Sequence, residues 1–107
     1  MNNQIKNEEL YYKHKEELKN RFEYSDIVRG EYIRPYNVEL LNEENNTFNN
    51  EEVTDLYFSV TDPFYGIIYK QFIRKNNKGK IISYECSCDN FQMHSSCTHL
   101  VGVIRWY

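Results

Sequence analysis

Alanine is absent from the 107 residues, and cysteine is absent from all but one short stretch near the C-terminus. The hydrophobic fraction of 40% therefore comes from other residues, among them ten Tyr and six Phe. Aromatic and β-branched residues suit the pleated surface of a sheet. At this length, residues 1–107 are most simply a single small domain, which we expect to be rich in strands.

Long apolar runs are also absent. No stretch of about 18 apolar residues occurs, which excludes a membrane-spanning helix. The first ten residues, MNNQIKNEEL, are polar and lack the apolar stretch of a signal peptide. Three cysteines cannot pair evenly, which disfavours a disulfide framework. We therefore expect a protein of a reducing compartment, cytoplasmic or nuclear, with no membrane contact.

Acidic residues are scarce in only one half of the chain. Residues 1–62 hold seven Lys and Arg against fourteen Asp and Glu, whereas residues 63–107 hold six against two. The overall formal charge of −3 hides this polarity. The basic half is the half that contains all the cysteines.

The N-terminal half predicts one helix and little else that is regular. Residues 4–23 have an amphipathic pattern. Its apolar face carries Leu10, Tyr11, His14, Leu18 and Phe22. His14 is interpreted as a boundary residue of that face and not as a ligand. Residues 25–35 are interpreted as a connection, residues 36–41 as a first strand, and the acidic, Asn-rich residues 42–52 as an exposed loop.

The C-terminal half predicts strands. Residues 53–60, 67–74 and 81–86 are apolar and β-branched, and turn sequences with Pro63, Gly66 and Gly79 separate them. A helix is expected after Ser95-Ser96, either of which could cap it. The predicted fold is α+β, with an N-terminal amphipathic helix, an antiparallel β-meander and a C-terminal ββα zinc-binding unit.

The stretch YECSCDNFQMHSSCTHLV contains all three cysteines and two of the three histidines. Cys86, Cys88, Cys97 and His99 follow the pattern C-x-C, eight residues, C-x-H. Three thiolates and an imidazole form a complete ligand set for a structural Zn²⁺, which is tetrahedral and closed to substrate. Soft sulfur ligands also favour zinc over magnesium or calcium. The sequence therefore predicts a zinc site at these four residues.

Other interpretations of the cysteines explain less. A catalytic Cys–His pair does not account for three clustered thiols. His94 could replace His99 as a ligand, although its position within the loop is more typical of a surface residue. Cys97 is expected at a helix N-terminus, which would lower its pKa and favour the thiolate.

The same residues resemble a known family. A β-hairpin leading into Cys86-Ser87-Cys88, Phe91 in the loop, and Cys97-Thr98-His99 running into an apolar helix are similar to the SWIM zinc finger. The resemblance covers about residues 66–107 and implies that Cys86, Cys88, Cys97 and His99 are the ligands. It also implies a module that binds DNA or partner proteins and is not itself catalytic.

Three functions remain open at this point. A protein-interaction or accessory module, bound to a larger protein, is favoured because Tyr is common in interfaces. The alternative is DNA or RNA binding by the basic hairpin of residues 70–80, through Lys70, Arg74, Lys78 and Lys80, with Tyr65, Tyr69 and Tyr84 nearby. A weaker alternative is an acidic inhibitor that mimics nucleic acid. No carboxylate pair, phosphate loop or nucleophile motif indicates an enzyme.

Overall fold

The computed structural model describes residues 17–107. Its fold is α+β, as predicted: short helices come first, a four-stranded sheet follows, and two helices end the chain. The elements are α1 (residues 17–21), α2 (Tyr24–Gly30), a 3-10 turn (Pro35–Asn37), β1 (Val38–Phe48), β2 (Glu51–Thr61), β3 (Ile68–Asn76), β4 (Ile81–Cys86), α3 (Asp89–His94) and α4 (Thr98–Trp106).

The sheet is an antiparallel meander in the order β1-β2-β3-β4. Asn49 and Asn50 join the first two strands with positive φ angles of 51° and 65°, the backbone that a tight hairpin turn requires. Tyr57 of β2 pairs with Phe72 of β3, and Gln71 of β3 pairs with Cys86 of β4. This register carries the first cysteine to the end of the last strand.

The predicted loop at residues 42–52 is wrong. Most of it belongs to β1, which extends the predicted first strand to Phe48, and β2 begins at Glu51. A register shift between Leu40 and Asn42 lies where the prediction ended the first strand. The segment is exposed, as its charge indicated. It forms a strand because β2 offers a hydrogen-bonding edge, which the polar sequence of β1 does not reveal.

The core lies between one face of the sheet and α4. Leu100, Val101, Val103 and Ile104 of the helix are buried in one cluster with apolar side chains of the sheet. Those sheet residues are Leu56, Phe58, Val60, Ile73 and Ile81. Gly102 permits close packing, because a Cβ there would lie 2.6 Å from Cγ2 of the buried Ile33.

The amphipathic helix predicted at residues 4–23 lies only partly within the described residues. Leu18 and Phe22 are buried, as expected, and α1 ends at residue 21. The rest of the predicted helix, with Leu10, Tyr11 and His14, lies outside the described residues. The predicted connection at residues 25–35 is wrong, because α2 occupies much of it and its Ile27 packs against the core. Within residues 17–107, no helix is long and apolar enough to cross a membrane.

Candidate metal centre

Four residues that are separated along the chain meet at one end of the sheet. Cys86 ends β4, Cys88 directly precedes α3, Cys97 directly precedes α4, and His99 lies in the first turn of α4. Their ligand atoms all lie within 4.8 Å of one another, and all four residues are buried. The structure thus brings together the full ligand set that the sequence predicts.

The distances within the group suit a small ion. Nδ1 of His99 lies 3.9 Å from Sγ of Cys86 and 3.7 Å from Sγ of Cys97. A tetrahedral zinc, with Zn–S near 2.3 Å and Zn–N near 2.0 Å, separates a sulfur from a nitrogen by roughly 3.5 Å. A metal ion therefore fits among these atoms with only small adjustments. Metal binding by this group is consistent with soft Cys and His ligands.

Local structure places the second pair of ligands. Residues 89–96 were expected to loop back, and they contain the short helix α3, which ends at Ser95 in the left-handed conformation with φ 57°. The predicted cap at Ser95 or Ser96 is wrong. The capping residue of α4 is Cys97, whose Sγ accepts the N–H of Leu100 at 3.3 Å. His99 then follows within the first helical turn.

The short distances between the three thiols shift their pKa values. Hydrogen bonding from Cys97, aided by His99 and Gln71, lowers the pKa of Cys86 to about 4. The same contact with Cys86, together with burial, raises the pKa of Cys97. Burial also raises the pKa of Cys88. The prediction for Cys97 is therefore wrong in direction, because the nearby Cys86 thiolate outweighs the helix N-terminus.

Two polar residues beside the centre were not predicted from the sequence. Asp62 accepts a hydrogen bond from Nε2 of His99 at 2.8 Å, and Gln71 donates from Nε2 to Sγ of Cys86 at 3.5 Å. Both side chains are buried. Asp62 belongs to the turn sequence TDPFYG, whose turn was predicted, but its contact with His99 depends on the packing of α4 against the sheet.

A second buried carboxylate fixes α2 against the loop between α3 and α4. Asp26 accepts hydrogen bonds from the hydroxyls of Ser96 and Thr98 and from the side-chain amide of Asn90. The amide of Asn90 also donates to the carbonyl of Ser96 at 2.7 Å. These contacts position the segment that carries Cys97. The acid in α2 and its partners are far apart in sequence, so no local pattern indicated them.

The four predicted nucleic-acid residues do not form one patch. Lys70 is exposed on β3, and Lys78 and Lys80 are exposed at the β3–β4 turn. Six residues of strand separate Lys70 from the end of β3, which is roughly 20 Å. Arg74 is engaged elsewhere, since it donates to both oxygens of Asp55 at 2.7 and 2.9 Å.

The aromatic residues expected near these cations lie elsewhere. Tyr69 packs its ring against His99 at 4.5 Å, and Tyr84 packs against the core. Lys70 and Arg74 instead share the opposite face of the sheet with Tyr57 and Phe72, as the alternation of side chains along paired strands requires. The rings of Tyr57 and Phe72 lie 5.2 Å apart.

His94 lies outside the ligand group. It is exposed in the last turn of α3, as predicted for a surface residue. A groove lined in part by Cys88, Cys97 and His99 opens beside the centre.

Comparison of the chain with protein-family models, with curated proteins and with solved structures found no match.

Proposed function

We propose that this chain is a zinc-stabilised binding domain of the SWIM type, which acts as an interaction or accessory module on a larger protein. The observation that carries the proposal is the convergence of four buried Cys and His ligand atoms within 4.8 Å. Four protein ligands complete a tetrahedral zinc shell and leave no position for a substrate, so the metal would serve folding and not catalysis.

The order of the ligands supports the SWIM arrangement. Cys86 ends a strand of a hairpin, Cys88 follows two residues later, and Cys97 and His99 begin an apolar helix. This matches the ββα unit implied by the resemblance, although α3 lies within the loop. Zinc at this position would join β4 to α4 and so fix the edge of the sheet to the core helix.

Exposed apolar residues support a protein partner. Five of them lie at or near the β2–β3 turn, where the ring centroid of Phe64 lies 5.4 Å from that of Tyr32. We call Tyr32, Phe64, Tyr65, Ile67 and Ile68 the aromatic turn surface; each is at least half exposed. Large exposed aromatic groups with a polar handle are enriched in protein interfaces.

The test of this function compares the wild-type protein with one double variant and one control variant. Affinity capture from the source cells, followed by titration of the purified captured protein, compares zinc-loaded wild type with the double variant Tyr65→Ser, Ile67→Ser. We expect at least tenfold weaker binding for the double variant, as for buried interface anchors. Met93→Ser, which changes an exposed side chain on α3, should bind like wild type. Equal binding by all three proteins contradicts the proposed surface.

Nucleic-acid binding is the second candidate, and a specific feature favours it. Lys70 lies beside the Tyr57–Phe72 ring pair on the sheet face opposite α4, and single-stranded bases can stack on such rings. Fluorescent single-stranded DNA, duplex DNA and RNA would be titrated at two salt concentrations. Binding that falls steeply with salt and is lost in Lys70→Glu, but kept in the control Lys19→Glu, would replace the protein-partner proposal.

A further inference from the structure

Asp62 contacts the metal-centre histidine on the side away from the sulfurs. Its Oδ2 lies 2.8 Å from Nε2 of His99, while Nδ1 of the same ring faces the sulfurs of Cys86 and Cys97. A neutral imidazole carries one N–H and one lone pair. If Nε2–H donates to the carboxylate, the lone pair of Nδ1 points towards the sulfurs.

The carboxylate itself is held firmly by the β2–β3 turn. Oδ1 of Asp62 accepts the backbone N–H groups of Phe64 at 2.8 Å and Tyr65 at 3.0 Å. The backbone N–H of Asp62 donates to the carbonyl of Ile67, and its carbonyl accepts from Gly66, both at 2.8 Å. Asp62 is also buried, with 8% exposure. Its position is therefore fixed by the turn and not by His99.

The two oxygens of Asp62 do different things. An aspartate that only formed the turn would need Oδ1 alone, because side chains of this type commonly accept backbone N–H groups two residues on. Oδ2 is not needed for that purpose and is directed at His99. A buried carboxylate with such a contact fixes the orientation and tautomer of a metal-binding histidine and makes it a better ligand.

We propose that Asp62 is the positioning residue of the metal centre and that it sets Nδ1 of His99, not Nε2, as the metal ligand. The inference rests on the metal site of the proposed function. It goes beyond that site, because the sequence pattern indicates His99 as a ligand but does not indicate which of its ring nitrogens binds the metal. It assigns the β2–β3 turn, outside the cysteine-rich stretch, a part in building the site.

The first test needs only the wild-type protein. Long-range ¹H–¹⁵N NMR spectra of the zinc-loaded, ¹⁵N-labelled protein distinguish the two ring nitrogens of His99. We expect a metal-bound Nδ1 and a protonated Nε2. A metal-bound Nε2 overturns the inference while leaving zinc binding intact. Failure of the wild-type protein to take up zinc would instead refute the metal site of the proposed function, so the two failures are distinguishable.

The second test separates the two oxygens. Asp62→Asn keeps a side-chain oxygen that can accept the turn N–H groups, since Asn also forms such turns. It replaces the charged partner of His99 with a neutral amide. Competition with a chromophoric chelator should show zinc affinity lowered by about 10- to 100-fold, the loss typical of such partners.

The control is Asp89→Asn. This change also removes a negative charge close to a ligand, because Asp89 follows Cys88, but Asp89 is not hydrogen-bonded to His99. It should retain wild-type zinc affinity. If Asp62→Asn binds zinc as tightly as Asp89→Asn and wild type, Asp62 serves only the turn and the inference is wrong. If both variants lose affinity equally, the effect is one of charge and not of positioning, which also overturns it.

Discussion

Different groups of polar side chains lie at the two ends of the sheet. At one end, Cys86, Cys97 and His99 meet around a space suited to an ion. At the other, Arg74 makes two hydrogen bonds to Asp55, a carboxylate that is 1% exposed. We call these the metal end and the ion-pair end. Groups at the ion-pair end satisfy one another, whereas the thiols and the imidazole of the metal end could hold a cation among them.

The ion-pair end is reinforced by neighbours from β1. Asn46 donates to Asp55 at 2.7 Å, and the guanidinium of Arg74 lies 4.6 Å from the ring centre of Phe48. These contacts join the exposed first strand to β2 and β3. β1 is thus almost wholly exposed and still a strand, because its backbone pairs with β2 and these side chains add contacts on the sheet face opposite α4.

Metal removal should give the largest loss of stability, and the loss should be greatest at the metal end. Chelation of zinc, or Cys88→Ser, should lower the free energy of unfolding by several kcal/mol, since structural zinc sites in finger peptides are worth about 10–16 kcal/mol. Hydrogen exchange followed by mass spectrometry should show the largest loss of protection in residues 86–99, around the four ligands, and the smallest loss in β1.

The control for this change is His94→Ala, which alters the exposed histidine of the same stretch. It should leave zinc content and melting temperature unchanged. An unchanged melting temperature after complete zinc removal from the wild-type protein would contradict a structural role for the metal end.

Asp55→Ala, at the ion-pair end, should give the next largest loss in the free energy of unfolding. Removing Asp55 leaves Arg74 unpaired, and because the Arg74 side chain is 22% exposed and keeps part of its hydration, the cost should be somewhat below the about 3–5 kcal/mol of a fully buried pair. Urea denaturation of the zinc-loaded variant would measure the loss, while its zinc affinity should stay at the wild-type value. Glu43→Ala, an exposed acid on β1, should change stability by less than about 0.5 kcal/mol.

Acid should weaken the ion-pair end as well. The hydrogen bonds from Arg74 hold the pKa of Asp55 below its usual value. The stabilisation is therefore complete above the unfolded pKa of about 3.9 and is lost as the pH falls through the lower folded pKa. Between pH 7 and pH 5 the stability difference between wild type and Asp55→Ala should be constant. A difference that shrinks in that range would contradict the pairing.

Gly102→Ala should give the smallest of these losses. A Cβ at residue 102 would lie within 3 Å of three atoms of Ile33, so overpacking of about 1–3 kcal/mol should exceed the gain in helix propensity. Thermal denaturation of the zinc-loaded protein would measure the net loss of stability. In an Ile33→Ala background the same change should cost less, because the opposing side chain is gone. A more stable Gly102→Ala protein would show that Ile33 can move aside.

Local signals predicted much of the sheet. β4 has the predicted bounds of residues 81–86. β2 starts two residues earlier and ends one residue later than predicted, and β3 starts one residue later and ends two residues later. Here the residues are apolar and β-branched, and Pro63, Gly66 and Gly79 mark the turns. Residues 42–48 lack such a signal, because that part of β1 is exposed on both faces and, apart from Phe48, polar.

The short helices were missed for a different reason. α2 and α3 contain seven and six residues, too few for a clear apolar period. Tertiary contacts select them instead: Asp26 of α2 accepts from Ser96 and Thr98, and Gln92 of α3 donates to the carbonyl of Cys86 at 2.9 Å. Isolated helices of this length are unstable in water without such packing.

The sequence by itself identified the four residues that could hold a metal ion, because the types and spacing of Cys86, Cys88, Cys97 and His99 are those of a Cys3His ligand set. It also determined the α+β class. Only the tertiary structure decided that Asp62, 37 residues from His99, meets its ring, and that Arg74 is held by Asp55 and not free for phosphate. Such contacts depend on strand register and on how α4 packs against the sheet, and no pattern of neighbouring residues contains that information.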